Sequence, residues 1–211
     1  MGHSNTQKKI LDAAERLFAK EGFHSTSLRM LTREAGVNLA AVNYHFGSKE
    51  ELIRAVIERR LLPLNRLRIE KLQSVQERAG QEERLPGVQE VLSAFFEPTF
   101  AFRKSGKGAQ HFITLVSRSF SDPESTVREV FLAMVRPVFE LLFELLCTAL
   151  PDIPKNVVYF RLHFSFGAMG HAMNMHHLTQ MIPAGLDLEI DAESMPEQFI
   201  VYVASGLEAP I

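Results

Sequence analysis

Apolar residues recur at spacings of three and four along almost the whole chain. In the first stretch, over about 6–21, the residues on one side are Ile10, Ala13, Ala14, Leu17 and Phe18. Sustained alternation of apolar and polar residues, which predicts half-buried strands, is absent from the sequence, and so are Asn-Gly and Asp-Gly hairpin dipeptides. The pattern therefore predicts an all-α protein.

Glycine, proline and helix-capping residues divide this periodicity into nine predicted helices. Their approximate bounds are 6–21, 27–35, 39–45, 49–75, 88–103, 107–120, 123–150, 154–181 and 191–206. Gly36 stands where a glycine ends a helix, and Ser48 with Glu51 forms a capping box. Pro63 lies inside the fourth helix and predicts a kink or an interruption there. Residues 78–87 are the predicted linker.

One stretch has the layout of a helix-turn-helix. Residues 26–52 read TSLRMLTREAGVNLAAVNYHFGSKEEL, which is a helix, a glycine turn and a second short helix. The turn at 35–38 is so short that the two helices must cross steeply. A helix fits the major groove of B-DNA, and small residues on the second helix let it approach the base edges. The candidate DNA-binding residues are Thr26, Ser27, Arg29, Asn38, Leu39, Ala40, Ala41, Asn43, Tyr44, His45 and Lys49.

Several of these side chains have alternative roles. Asn43 can bond adenine N6 and N7 or contact a phosphate. Tyr44 is either a phosphate donor or a half-buried core ring. Lys49 opens a helix, where a cation is unfavourable against the helix dipole, and a phosphate would remove that conflict. Arg29 either touches the DNA backbone or lies on a solvated face.

The motif and its surroundings resemble the TetR family of bacterial transcriptional regulators. The resemblance covers about residues 6–60 and includes the opening helix KKILDAAERLFAKEGF and the tail YHFGSKEEL. It implies a three-helix DNA-binding domain at residues 1–50, with the helix-turn-helix at about 27–46. A linker helix then leads to a helical ligand-binding and dimerisation domain at 51–211. Asn43 departs from the family pattern, because many relatives have Ser, Thr or Gly there.

Charge and composition agree with a divided chain. Residues 1–72 contain 13 Lys and Arg against 8 Asp and Glu, whereas residues 73–211 contain 10 against 17. A basic part suits a nucleic-acid partner. The single cysteine, Cys147, excludes an internal disulfide and fits a reducing compartment. No apolar stretch reaches the length of a membrane span, so we expect a cytoplasmic protein without a membrane partner.

The acidic part supplies a candidate effector pocket. It holds 13 of the 16 Phe residues, and VNLAAVNYHFGSKEEL is similar to the same stretch of family members that regulate fatty-acid and related metabolism. Both points favour an apolar effector, with a fatty acid or acyl-coenzyme A as the leading hypothesis. Arg103, Lys104 and Lys107 form a basic cluster that could bind its headgroup. The candidate ligand-binding residues are Phe96, Phe100, Arg103, Phe112, Phe139, Phe143, Met169, Met173 and His176.

Residues 160–181 allow three interpretations. Four histidines suggest a metal site, but their spacings do not place two ligands together and no metal is expected. Methionines suit a pocket wall. Small residues suit a close approach of two helices, and the candidate dimer residues are Phe164, Gly167, Ala168, Gly170, His171, Met175 and Leu178.

The sequence therefore predicts a ligand-responsive transcriptional repressor. The expected partners are a palindromic double-stranded DNA operator, a second copy of the chain and a small apolar effector. No nucleophile motif, phosphate-binding loop or metal constellation indicates an enzyme, and no cofactor is expected. The alternatives are a DNA-binding regulator without a ligand and a helical enzyme or carrier.

Overall fold

The protein is a bundle of α-helices, as the sequence predicts. The computed structural model describes residues 2–121, 125–173 and 194–211, with side chains from residue 5 onward. All regular structure in these ranges is helical. The helices are α1 (Gly2–Glu21), α2 (Leu28–Ala35), α3 (Leu39–Phe46), α4 (Lys49–Gln81), α5 (Val88–Arg103), α6 (Lys107–Ser119), α7 (Thr126–Ala149), α8 (Lys155–Met173) and α9 (Met195–Glu208). None of the described helices is both long and apolar enough to cross a membrane.

The predicted helix ends near the amino terminus are confirmed by their caps. The hydroxyl of Ser27 accepts a hydrogen bond from the Met30 amide at 3.2 Å at the start of α2. Gly36 ends that helix in the left-handed conformation, with φ of 64°. The Ser48 hydroxyl accepts from the Glu51 amide at 3.0 Å, which is one half of the predicted capping box.

The predicted end of the fourth helix is wrong. α4 continues through Pro63 without interruption and runs past residue 75 to Gln81. Its apolar face extends that far, because Leu72, Val75 and Ala79 are all buried at spacings of three and four. The linker is accordingly shorter than predicted.

Two later helices also begin after their predicted starts. α7 begins at Thr126, where the Ser125 hydroxyl accepts from the Arg128 amide at 3.1 Å, and Pro123 lies outside the described residues. α9 begins at Met195, with Pro196 in its first turn, and continues to Glu208. The predicted continuation of α8 from residue 174 to 181 lies outside the described residues.

The chain forms two compact units. The first comprises residues 1–65 and 102–136, and the second comprises residues 66–101 and 137–211. In the first unit α1 packs against α2, α3 and α6 around a core that includes Ile10, Phe18, Leu31, Leu52, Ile53 and Ile57. In the second unit α8 packs against α9. The division at residue 50 into DNA-binding and ligand-binding parts concerns function and stays a prediction.

Candidate nucleic-acid interface

The two helices of the motif each bury one face and expose the other. α2 buries Leu31 and Ala35, and α3 buries Val42 and Phe46. This fixes α3 on the core and leaves its opposite face to solvent. The residues on that face are Leu39, Ala40, Asn43 and Tyr44, with Ala41 half-buried beside them. Apart from Leu39, the face combines small and polar side chains, so little bulk keeps the α3 backbone from a groove.

The Tyr44 ring is 75% exposed, so the core-ring alternative for this residue is wrong. It makes an edge-on contact with the His45 ring at 5.2 Å, and His45 itself is half-buried. Arg29 on α2 is also exposed. These positions are compatible with DNA contact, which stays a prediction.

Two of the candidate residues act locally as helix caps. The Asn38 Oδ1 accepts a hydrogen bond from the Ala41 amide at 2.8 Å, and Ser27 caps α2 in the same way. Both side chains thereby set the start of a helix of the motif. Gly47 ends α3 with φ of 73°, and its amide donates to the Asn43 carbonyl at 2.9 Å.

Thr26 does not reach the surface. It is fully buried, and its hydroxyl donates to the Gly22 carbonyl at 2.8 Å. Its side chain therefore holds the corner between α1 and α2. The prediction that Thr26 contacts DNA is not supported by this geometry.

Lys49 is held against the same corner. Its ammonium lies 4.4 Å from the centre of the Phe23 ring and donates to the His24 carbonyl at 3.5 Å. Burial lowers the pKa of Lys49, while the nearby Glu50 carboxylate opposes the change. The ring and the carbonyl offset part of the conflict with the helix dipole, so a phosphate is not needed to explain a cation here.

The first unit contains an ion cluster that the sequence did not reveal. Glu15 of α1 is buried, and both its oxygens accept from the Arg60 guanidinium at 2.9 Å. Arg59 also donates to Glu15, and its Nη1 lies 2.7 Å from Asp12 Oδ1. Burial opposes ionisation of Asp12, but hydrogen bonds from Lys8 and Arg59 hold the pKa of its carboxyl below the usual value. The cluster joins α1 to α4.

α6 is attached to α1 at two places. Gly108 lies beside the ion cluster, where a Cβ atom would overlap Arg60 Nη2 and Glu15 Oε1. Further along α6, Arg118 Nη1 donates to the carbonyls of Ala19 and Lys20, at 2.9 and 2.7 Å. These carbonyls are at the end of α1 and would otherwise lack helical partners. α6 is therefore bonded into the first unit together with α1.

The candidate ligand-binding residues belong to different units. Phe112 is buried in the first unit, with its ring 5.7 Å from that of Phe102, and Arg103 belongs to the same unit. Phe96 and Phe100 are buried in the second unit, where both rings contact Phe199 at 5.0 and 5.4 Å. Met169 is half-buried and Met173 is buried in α8, and the rings of Phe139 and Phe143 stack at 6.3 Å in the second unit. His176 lies outside the described residues.

Phe95, which belongs to the same Phe-rich stretch of the sequence as Phe96 and Phe100, and two rings that the sequence did not single out, Phe166 and Phe199, complete the aromatic cluster of the second unit. The Phe166 ring lies 5.6 Å from that of Phe95 and 5.9 Å from that of Phe96. Two surface cavities of about 410 and 550 Å³ lie elsewhere, in the first unit. Neither is lined by a candidate ligand-binding residue.

The candidate dimer residues of α8 lie mostly at its surface. Phe164, Gly167 and His171 are exposed, and Ala168 and Gly170 are half-buried. Met175 and Leu178 lie outside the described residues. Further apolar side chains that the sequence did not single out are exposed on α8 and α9, namely Phe160 and Tyr202, which are 57% and 70% exposed.

The metal alternative finds no support in the described part of the chain. No group of three His, Cys, Asp or Glu side chains there could hold a metal ion. His163 instead contacts Tyr159, with ring centres 4.1 Å apart, and its Nδ1 lies 2.9 Å from the Tyr159 carbonyl oxygen. His176 and His177 are outside the described residues.

Comparison with known proteins identifies both parts of the chain. Residues 10–56 match the family model described as bacterial regulatory proteins, tetR family, and residues 93–206 match the model described as tetracyclin repressor-like, C-terminal domain. The HTH-type transcriptional regulator UidR of Escherichia coli is 38% identical over 52 residues, which are 25% of this chain and 26% of the relative. LmrA of Bacillus subtilis, also an HTH-type transcriptional regulator, is 42% identical over 60 residues, which are 28% of this chain and 32% of the relative. The chain thus matches about a quarter to a third of the length of these relatives.

A solved structure extends the likeness of fold to nearly the whole chain. The transcriptional regulator FadR of Bacillus subtilis, crystallised in complex with stearoyl-CoA, superposes with a TM-score of 0.68. The alignment covers 94% of this chain and 98% of FadR, at 12% sequence identity. At that identity the likeness shows the fold alone.

Proposed function

The chain belongs to the TetR family of bacterial regulatory proteins, and from this premise we propose that it is a dimeric transcriptional repressor that an apolar effector releases from its DNA operator. The observation that carries the proposal is the exposed face of α3. Small and polar side chains cover most of that face, while Val42 and Phe46 hold the helix on the core. In this proposal residues 1–50 bind DNA, and residues 51–211 bind the effector and a second copy.

α3 would enter the major groove of the operator. Ala40 and Ala41 let its backbone approach, and Asn43 can read an adenine. Tyr44 and the first amides of α4 would bind phosphates on either side of the groove. Two such helices in a dimer must be about 34 Å apart, or a multiple of that distance, to meet successive grooves.

A charge placed on α3 tests this interface. Ala40→Glu puts a carboxylate on the exposed face, where phosphates would repel it, so we expect at least about a tenfold loss of affinity for an operator selected from random double-stranded DNA. Ala101→Glu is the matched control, because Ala101 is an exposed helical alanine of the second unit. The affinities are measured by fluorescence anisotropy. Equal affinities of the two variants would contradict the proposal.

The dimer would form through α8 and α9. Exposed aromatic side chains such as Phe164 and Tyr202, together with the open surface at Gly167, make an apolar face that a second copy could cover. Each helix of such a face would pack against its symmetry mate, since closed homodimers are two-fold symmetric.

A bulky residue on the exposed face of α8 tests dimerisation without disturbing the packing within one protomer. A Cβ atom at Gly167 or at Gly80 meets no described heavy atom within 4 Å, so both sites tolerate leucine within one protomer. We expect Gly167→Leu to raise the dimer dissociation constant and Gly80→Leu to leave it unchanged, as measured by sedimentation equilibrium. An unmodified protein that sediments as a monomer would refute this part of the proposal.

The apolar nature of the effector is supported by the aromatic cluster of the second unit. Five rings form a connected series of contacts there, in which each ring touches at least one other: Phe95, Phe96, Phe100, Phe166 and Phe199. FadR, which shares the fold, was crystallised with an acyl-coenzyme A. Footprinting of the operator with and without fatty acids and acyl-coenzyme A tests the effector, and unchanged protection with every apolar compound would favour a regulator without a ligand.

A further inference from the structure

Both helices of the motif begin with a leucine, and the two leucines lie in different surroundings. Leu28 opens α2, where it is half-buried and packs against the core of the first unit. Leu39 opens α3 and is 46% exposed. The same residue type at the same helical position therefore serves the core in one helix and faces solvent in the other.

Other residues attach α3 to the first unit. Val42 and Phe46 are buried in the core, and Ala41 packs against it. The start of the helix is set by Asn38, whose Oδ1 accepts a hydrogen bond from the Ala41 amide at 2.8 Å. Leu39 is thus a large apolar side chain on a face that is otherwise small and polar, and much of its surface is open to a partner.

The position of Leu39 at the start of the helix gives its side chain a direction. Every Cα–Cβ bond in an α-helix tilts toward the amino terminus, so the side chain of the first residue projects ahead of the first turn. In helix-turn-helix proteins the residues near the amino terminus of the second helix contact the base edges. With α3 in the groove, as proposed above, Leu39 is among the first side chains to meet a base pair.

The major groove offers an apolar side chain one distinctive partner, the C5 methyl group of thymine. The other groups that base pairs present there are mainly hydrogen-bond donors and acceptors. A leucine that covers those groups removes their water without replacing the hydrogen bonds, which costs free energy. A leucine against the thymine methyl removes two apolar surfaces from water at once, which is favourable.

We propose that Leu39 reads a thymine in each half of the operator through its methyl group. The inference rests on the proposed function and deepens it, because it names the chemical group that this side chain recognises. The contact carries no charge, so it adds sequence preference without adding to the salt dependence of the phosphate contacts. Its role is separate from that of Asn43, whose amide suits the hydrogen-bonding edge of adenine.

The first experiment changes the DNA and uses the unmodified full-length protein. In the operator selected from random duplexes, each thymidine is replaced in turn by deoxyuridine, symmetrically in both halves. This removes a methyl group and keeps the hydrogen-bonding groups of the base. At one position we expect affinity to fall about 3- to 5-fold per half-site, and about 10- to 25-fold for both halves, the effect of one buried methyl group in each.

A second DNA series tests the methyl group by restoring it. At the sensitive position, exchange of the T·A pair for C·G should weaken binding further, because leucine then faces the cytosine amino group. 5-Methylcytosine at the same place should recover part of the loss. All affinities are measured by fluorescence anisotropy at one salt concentration.

The protein experiment changes the leucine. Leu39→Ala removes the side chain beyond Cβ, and Leu39→Met keeps an apolar side chain of similar size. We expect Ala to bind the thymine and uracil operators about equally and Met to retain part of the preference. Leu62→Ala is the matched control, because Leu62 is a 43% exposed leucine on α4 of the same unit. It should distinguish the two operators as the unmodified protein does.

The four affinities of the unmodified protein and Leu39→Ala for the two operators form a double-mutant cycle. The cycle isolates the contact from any effect of uracil on the DNA itself. A methyl effect that Leu39→Ala removes and Leu62→Ala keeps supports the inference. A methyl effect of the same size in Leu39→Ala would assign the contact to another residue and overturn it.

The outcomes also separate the inference from the proposed function. A protein that binds the selected operator but is insensitive to uracil at every position overturns the inference and leaves the function in place. A protein that binds the operator no more tightly than an unrelated duplex overturns both. The uracil series needs no variant, so its result stands even if a substitution at Leu39 disturbs α3.

Discussion

Each unit of the protein has a buried charged side chain whose contacts join α4 to another helix. In the first unit Glu15 is almost fully buried, and two arginines from α4 bind both of its oxygens. In the second unit Arg68 is buried among a hydroxyl and aromatic rings. The same helix, α4, supplies the arginines in both cases.

The two sets of contacts involve different kinds of partner. In the first unit the buried carboxylate is balanced by arginines, and such ion pairs hold helices in one arrangement. In the second unit the described contacts of the guanidinium include a hydroxyl and a ring face of α5. Charge pairing thus joins α1 to α4 in the first unit, and a hydrogen bond with a cation–π contact joins α4 to α5 in the second.

The largest expected effect comes from removing the buried carboxylate. Glu15→Ala removes the carboxylate that Arg59 and Arg60 share, while Asp12 still pairs with Arg59, and we expect the free energy of unfolding to fall by about 3 kcal/mol in urea titrations. Glu34→Ala is the control, because Glu34 pairs with Arg16 at 2.9 Å but both side chains are about half exposed. That variant should lose less than about 1 kcal/mol. Similar losses in both variants would show that the first unit does not depend on its buried charges.

Removing the buried arginine tests the contacts of the second unit. Arg68→Met removes the donor to the Thr99 hydroxyl and the cation over the Phe95 ring, so we expect the free energy of unfolding to fall by about 1–3 kcal/mol. The same urea titration measures it. No loss of stability would show that the second unit does not depend on this link between α4 and α5.

The smallest effects are expected at the DNA-facing surface. Tyr44→Phe and Lys49→Ala should weaken binding to all DNA sequences about equally, and Lys49→Ala should reduce the slope of log affinity against log salt by about 1. Binding is measured over a series of salt concentrations, with an unrelated duplex beside the operator. Unchanged DNA affinity in both variants would remove these residues from the interface. The role of Lys49 would then be the local one that its contacts with the Phe23 ring and the His24 carbonyl indicate.

Local signals in the sequence were sufficient for the helices and caps. Ser27, Asn38 and Ser48 cap their helices through hydrogen bonds that span three residues, so a short window contains all the information. The predicted end of α4 near residue 75 is too early, because the sequence RAGQEERLPG at 78–87 has the composition of a linker although α4 runs to Gln81. The buried row of Leu72, Val75 and Ala79 continues the apolar spacing and could have corrected that prediction.

The buried charges could not be found in the same way. Glu15 and Arg60 are 45 residues apart, and nothing in a single sequence pairs them. Arg68 stands in a charged run with Arg66, Glu70 and Lys71, which resembles a solvated face. Arg68 lies four residues after Leu64 and four before Leu72, and this helical spacing was the signal in the sequence that it belongs to the buried face. Composition predicted the aromatic cluster of the second unit, but only the packing shows which rings meet.

The tie between α6 and α1 also has a consequence for the growing chain. Arg118 binds carbonyls that precede it by almost a hundred residues, and Gly108 packs on a carboxylate of the first helix. When residue 50 leaves the ribosome, the motif is complete in sequence, yet the helix that supports it has not been made. At about 5–20 residues per second, some 3–14 s pass before α6 follows. A nascent chain of residues 1–50 alone is therefore an unfinished fold, which reaches its final packing only after α6 has been synthesised.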